Sequence, residues 1–307
     1  MRIMPITLAG VGVLVASALA SGAPPAFDTD ATWIEAPEGS PVIDRGPEGA
    51  WDAYAVDNPF LFVEDGTLYC FFEAQDRPFD QGGHEQVGLA ISRDGVRWEK
   101  LAHNPILRVG IQGSWDSVVA KLPVVARHEG KYYLFYSGRD GKTKQIGLAT
   151  STDLLHWTKH EANPVLEARP DCWDRFLSTH PAPPFERDGR FYLLYRGMQA
   201  LYQAQGLGVA VSADMVHWQR LREGPVIPPT EEVASLAMAC TEEGFVGIAQ
   251  APDRAYWFTT DLVNWEKRGV PRFTGKNVTT VSNPVVFKGQ WLIVYEQDDR
   301  IYRAVLK

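Results

Sequence analysis

Four seven-residue segments recur along the 307-residue chain: SRDGVRW at 92–98, STDLLHW at 151–157, SADMVHW at 212–218 and TTDLVNW at 259–265. A repeat of this kind constrains the fold more than any composition does. Each copy must be one supersecondary unit that buries its apolar face against its neighbours. Each follows a short apolar run and a hairpin carrying a turn glycine (Gly66, Gly130, Gly189, Gly244), and a fifth hairpin stands at Gly289. These glycines are 64, 59, 55 and 45 residues apart, the length of four strands and their connections. Runs such as YYLFY at 132–136 and FYLLY at 191–195 are bounded by EG or DG turns, which predicts β-hairpins rather than helices.

The reading is an all-β chain folded as a five-bladed β-propeller over residues 27–307. Five hairpins with four complete Asp-to-Trp strands leave the last blade one outer strand short. The segment ATWIEAPEGSPVI at 31–43 resembles the tails WEKLAHNPIL and WTKHEANPVL of other units. The N-terminus is therefore expected to complete the last blade and close the ring, which removes an exposed sheet edge. Trp98, Trp157, Trp218 and Trp265 recur in every copy, so they are expected to pack between blades. The Asp and Ser or Thr of each copy are expected to satisfy turn amides.

Charge and ends narrow the function classes. The formal net charge is −8, without a basic stripe to neutralise phosphates, which excludes nucleic acid as a partner. Cys70, Cys172 and Cys240 are too few for a disulfide scaffold. Residues 1–20 have the apolar run and small residues of a signal peptide cleaved near Ala20, and are short for a membrane span. The expectation is a secreted or periplasmic protein with no membrane span after cleavage.

In a propeller the starts of the first strands and the ends of the second strands meet on one face of the central channel. Counting back nine residues from each turn glycine gives Asp57, Lys121, His180 and Ser235, with Ser282 or Asn283 in the last unit. Counting forward seven gives Glu73, Ser137, Arg196 and Glu296, with Gln250 from a hairpin one residue shorter. Charged residues at positions where a core would be apolar mark a site. Trp51, Trp115 and Trp173, on the approaches GAWD, GSWD and DCWD, either stack on sugar rings or pack beneath loops.

The pattern DNPFLFVEDGTLYCFF at 57–72, KLPVVARHEGKYYLFYSG at 121–138 and IGLATSTDLLHWTKHEANPVL at 146–166 resembles the five-bladed glycoside hydrolases of the arabinanase, levansucrase and invertase superfamily. These are the family 43-like enzymes and relatives such as the family 117 anhydro-galactosidases. The resemblance implies a glycoside hydrolase acting on an oligosaccharide or polysaccharide, with inversion favoured. It implies Asp57 as general base, Asp116 as modulator, and His180 as general acid where the family commonly has a third-blade Glu. Lys121 and Arg196, beside Glu73 and Glu296, suit binding of an anionic substrate group. No cofactor is required and no metal ligands are singled out, although relatives of this fold often hold calcium or another ion in the channel. Two alternatives stand beside this reading. The missing Glu motivates a non-catalytic carbohydrate-binding propeller, and Lys121, His180 and Arg196 motivate a phosphorylase.

Overall fold

The computed structural model describes residues 24–307 apart from 202, 204, 230–234 and 251–253. The expected leader at 1–20 lies outside the described residues. Those residues form strands throughout, with one short 3-10 turn at Phe79–Gln81. No described helix is long and apolar enough to cross a membrane.

Five antiparallel units follow one another along the chain. The first contains Ala55–Glu64, Thr67–Gln75, Glu85–Ser92 and Glu99–Lys100; the second contains Val119–His128, Lys131–Arg139, Lys144–Ser151 and Thr158–Lys159. In the third, Phe176–Ser178 and Phe185–Arg187 are two pieces of an interrupted first strand, followed by Arg190–Met198, Gly206–Ser212 and Gln219–Arg220. The fourth is Leu236–Thr241, Gly244–Ala249, Tyr256–Thr259 and Glu266–Lys267. The fifth is Val285–Phe287, Gln290–Gln297 and Arg300–Leu306, joined by Thr32–Glu35 from the other end of the chain. Five hairpins turn through consecutive left-handed residues, as at Glu129 (φ 48°) and Gly130 (φ 77°), a twist that matches flanking strands.

The N-terminal strand pairs antiparallel with the C-terminal one, Trp33 opposite Leu306 and Glu35 opposite Ala304. A two-residue strand, Arg272–Phe273, adds on its other side, so the N-terminal strand is not the outermost. Ile43 bridges Ile301 in the way that Leu107 bridges Val87 and Leu166 bridges Ile146. The segment 31–43 thus serves as the tail of the last unit.

The seven-residue repeat is a turn that caps itself. Oδ1 of Asp153 accepts the amides of Leu155 (2.9 Å) and His156 (2.8 Å), and Asp94, Asp214 and Asp261 do the same in their copies. The preceding Ser or Thr hydroxyl bonds to the same carboxylate. The indoles reach the previous unit: Trp157 meets Phe71 edge-on at 5.9 Å and Trp218 meets Phe135 at 5.5 Å.

A second repeated device binds the approach to each first strand. Trp51, Trp115 and Trp173 lie against Phe72, Tyr136 and Tyr195 of the second strands, with centroids 5.9, 5.6 and 5.8 Å apart. Glycines make room for these rings. A Cβ on Gly88, Gly138 or Gly197 would come within 2.5, 2.1 or 2.4 Å of the indole. The next residue is a buried Asp paired to a cation of the outer strand. Asp52 takes Lys100 (2.5 Å), Asp116 takes Lys159 together with the Tyr136 hydroxyl (2.9 Å), and Asp174 takes Arg220 (2.5 Å) and Arg169 (2.9 Å). The three half-buried tryptophans thus pack against the second strands, as the packing alternative expects. Asp116, expected as a modulator, belongs to this latch.

Asp174 is fully buried between two arginines. Asp174→Ala removes the carboxylate that both guanidiniums share, leaving Arg169 with Glu223 and Arg220 with the Glu167 carbonyl, and is expected to cost about 3 kcal/mol of unfolding free energy, read from urea denaturation. A loss under about 0.5 kcal/mol would show that the latch is ornamental to stability.

Candidate active site

The first strands of units one and two are built alike. Asp57 pairs with Glu73, the register then shifts, and pairing resumes at Phe60 opposite Phe71. Lys121 pairs with Ser137, the register shifts, and Val124 resumes opposite Phe135. Asn58 (φ 44°) and Leu122 (φ 54°) occupy the left-handed region inside these bulges. A bulge re-aims the side chains around it, and here it stands where the first strand begins.

Lys121 is the hub of the resulting cluster. Its ammonium lies 2.7 Å from Glu85 and 3.3 Å from Glu73, both carboxylates being almost fully buried. Burial disfavours the charged amine, but Glu73, Glu85 and Asp57 outweigh it and hold Lys121 firmly protonated. Asp57 keeps a partly open surface although protein surrounds it. Its carboxyl is raised well above the ordinary value by burial and by its hydrogen-bonded neighbour Glu73. Burial also raises Glu73, yet Lys121 and the hydrogen bond from Asp57 leave it below its ordinary value. Of the two carboxyls, Asp57 therefore has the higher affinity for a proton and Glu73 the lower.

Lys144 and Arg196 complete the cluster. Lys144 is pushed well below the ordinary lysine value by burial and by the cations Lys121 and Arg196. Arg196 is lowered to about 10 by burial, opposed by Glu73, and its Nε donates to the Thr179 carbonyl at 3.1 Å. Thr179 in turn bonds Ser137 (3.0 Å) and the Leu122 carbonyl, which ties the second and third units together behind the cluster.

The His180 ring is buried and its Nδ1 lies 2.8 Å from the Leu236 carbonyl, so Nδ1 carries the proton and donates it. Nε2 is left as a bare acceptor without a hydrogen bond among the described residues. Burial, aided by Arg196, lowers the imidazole from 6.5 to about 3. No imidazolium persists near neutrality, and none of the partners given for the ring is a carboxylate. The two groups are shifted in opposite senses, the Asp57 carboxyl upward and the His180 imidazole downward.

Glu296 ends a second strand of the fifth unit and accepts the Asp299 amide at 3.0 Å, with burial raising its carboxyl. The structure thus unites Asp57, Glu73, Lys121 and Arg196 and places His180 beside Arg196. Asp116, Trp51, Trp115 and Trp173 stay in their latches. Glu85 and Lys144 are members that the counting along first and second strands missed. They open the third strands as EQVGLA and KQIGLA, with Gln205 in QGLGVA at the corresponding place. Counting back nine residues from Asp94, Asp153 and Asp214 of the repeat, instead of from the turn glycines, finds them. A channel calcium does not suit these residues, because the Lys121 ammonium already occupies the position between Glu73 and Glu85.

Residues 49–252 match the sequence profile described as beta-1,4-mannooligosaccharide phosphorylase, about two thirds of the chain. The chain belongs to glycoside hydrolase family 130. The resemblance to the arabinanase, levansucrase and invertase superfamily is thereby narrowed to this family. Family 130 enzymes act on glycosidic bonds, by phosphorolysis or by hydrolysis. Among curated relatives, an uncharacterised protein of Mycobacterium tuberculosis is 30% identical over 163 residues, 52% of each chain, so the match spans about half of that relative. A glycosyl hydrolase from Bacteroides ovatus is similar in fold, with a TM-score of 0.70, 16% identity, and coverage of 90% of this chain and 93% of the other. A family 117 glycoside hydrolase of Zobellia galactanivorans gives 0.69 and 15%, with 90% of each chain covered. A structure from the family 130 mannoside phosphorylases, which contain glycoside hydrolases that target beta-1,2 mannosidic linkages in Candida mannan, gives 0.68 and 16%, covering 90% and 93%. At these identities the likeness establishes a nearly all-β fold of propeller type.

The depressed His180 has a measurable signature. Its folded value near 3 lies below the ordinary 6.5, so the unfolded chain takes up this proton first as pH falls. Stability from this group is fully present above 6.5 and is lost progressively towards 3. His180→Gln is expected to flatten the dependence of urea unfolding free energy on pH by about one proton across that window. Parallel curves for the two proteins would refute a buried neutral imidazole.

Proposed function

We propose that this chain is a secreted glycoside hydrolase whose five units close into a five-bladed propeller, with cleavage in the central channel. Each unit is hydrogen-bonded to the next, and the fifth returns to the first through Asn283, which exchanges bonds of 2.8 and 3.0 Å with the Leu61 backbone. The higher proton affinity of Asp57 over Glu73 carries the reading of the chemistry. A partly open carboxyl whose proton affinity is raised by burial and by a neighbouring carboxylate suits a general acid. Asp57 gives its proton to the glycosidic oxygen as the bond to the anomeric carbon breaks. Lys121 offsets the negative charge left on the carboxylate pair. Water attacks from the opposite side of the sugar and surrenders its proton to Glu296, with inversion as the outcome. His180, buried beside Arg196 and held by the Leu236 carbonyl, does not act as the acid in this reading. The substrate is an oligosaccharide, and the leader-like residues 1–20 support export.

A second reading is phosphorolysis, favoured by the family description and by the basic side chains of Lys121, Lys144 and Arg196 beside one another. Product analysis on a panel of β-mannosides and other oligosaccharides, with and without phosphate, separates the two. Hydrolysis predicts free sugar in the absence of phosphate; release of sugar phosphate only when phosphate is added would overturn it. Asp57→Asn is expected to lower kcat by about 10²- to 10⁴-fold with the unfolding midpoint preserved. Unchanged turnover in that variant would remove Asp57 from the chemistry.

A further inference from the structure

The strand that carries Asp57, Ala55–Glu64, is the innermost of its sheet, so the polar groups of its inner edge need partners from outside the unit. Unit five supplies them on both sides of the bulge. Before it, the Val56 amide donates to the Asp299 carbonyl at 3.2 Å. After it, the Leu61 amide donates to Asn283 Oδ1 at 2.8 Å, and Asn283 Nδ2 donates to the Leu61 carbonyl at 3.0 Å. Asn283 is 4% exposed, and its amide plane serves one residue of the strand as a neighbouring strand would. Asp57 stands between the two points. Within the bulge, Asn58 donates its Nδ2 to Oδ1 of Asp57 at 2.8 Å.

Both anchors are mounted on the strand that carries Glu296. The Ser282 amide donates to the Val294 carbonyl at 2.8 Å and its hydroxyl accepts the Val294 amide at 3.1 Å, which seats Asn283 on Gln290–Gln297. That strand then runs into two left-handed residues, Asp298 (φ 52°) and Asp299 (φ 58°), and the Asp299 amide donates to Glu296 Oε1 at 3.0 Å. Asp299 thus holds the Glu296 carboxyl with its amide and the residue before Asp57 with its carbonyl.

We propose that Asn283 and the Asp298–Asp299 turn form a two-point clamp that fixes the Asp57 carboxyl relative to Glu296, with Asn283 as a positioning residue. This rests on the reading of Asp57 as acid and Glu296 as base, and adds what holds the two in register. The bulge makes a clamp necessary. Where the register shifts between Asp57 and Phe60, the second strand no longer dictates where the first one lies. The separation of two such carboxyls decides whether a water fits beside the sugar, and a misplacement of about 1 Å can lower the rate about 10²-fold. The unit that joins the chain ends thereby governs chemistry carried by the first unit.

The leaving group tests the clamp on the full chain. A sugar hydroxyl leaves only with a proton from the acid, whereas dinitrophenolate departs without one. The probes are β-1,4-mannobiose and 2,4-dinitrophenyl β-D-mannopyranoside, after the sugar of the family description. Should the panel above name another sugar, its disaccharide and dinitrophenyl glycoside replace them. Asn283→Ala is expected to lower kcat on the disaccharide about 10- to 100-fold with KM within about twofold, and kcat on the dinitrophenyl glycoside less than about threefold. Asp57→Asn is expected to show the same selectivity. Adding Asn283→Ala to it should cost nothing further on the disaccharide, because the clamp acts through Asp57.

Equal losses on the two probes, or an additive loss in the double variant, reduce Asn283 to a structural role and overturn the clamp. If Asn283→Ala does not fold, Asn283→Asp, which keeps the acceptor for the Leu61 amide, enters the same comparison. Hydrogen exchange of the unaltered chain gives a readout free of any variant: the Val56 and Leu61 amides should exchange as slowly as the paired amides of Thr67–Gln75. Exchange of either at the rate of an open loop overturns the clamp. Selectivity in Asp57→Asn but not in the Asn283 variant sinks the clamp alone; its absence in Asp57→Asn sinks the acid assignment, and no cleavage of any glycoside sinks both.

Discussion

The fold depends on how the inner strand of each unit hands its polar groups to the next. Asn283 exchanges two bonds with Leu61, Thr179 reaches Leu122, His180 reaches Leu236, and Gln250 reaches Val281 at 2.7 Å. A buried backbone carbonyl left without such a partner costs as much as a lost hydrogen bond, so these contacts fix which residues stand at the strand starts. The outer parts of each unit obey a different demand. There the capped Asp turn and the indole that follows it fill the space between neighbouring sheets. The site exists because the inner demand is met by side chains, and several of those side chains carry charge.

Within that frame, electrostatics and not residue identity assigns the roles. Asp57 and Glu73 are both carboxyls on adjacent strands, yet the Lys121 ammonium beside Glu73 separates their affinities for one proton. His180 would suit acid catalysis in a solvated site beside a carboxylate. Enclosed by protein, donating to Leu236 and facing Arg196, it stays neutral. The same chemistry of burial lowers Lys144 and raises Asp57, since each sheds the charge it cannot solvate.

The repeat made the architecture legible, because its period and its glycine landmarks are one-dimensional facts that the hairpins obey. It also located Asp57, Lys121, His180, Glu73 and Arg196 by counting. Roles were not legible, because a pKa depends on neighbours brought together from different units. Glu85 and Lys144 escaped because third-strand starts follow loops of unequal length, which breaks a count made from the turn glycine. Trp51, Trp115 and Trp173 were ambiguous for another reason. An aromatic residue near a channel mouth reads alike whether it faces sugar or fills the hollow over a glycine, and only the approach of Gly88, Gly138 and Gly197 decides.

The pairing of the chain ends has a mechanical side. Thr32 and Lys307 bond to each other reciprocally at 2.8 and 3.0 Å, and the two strands run antiparallel from that point. A load applied through residue 31 and Lys307 therefore peels the strands apart one bond at a time and does not shear them together. The fifth unit is the weak seam under tension, and opening it bares the Arg300–Leu306 strand as an edge able to capture another chain.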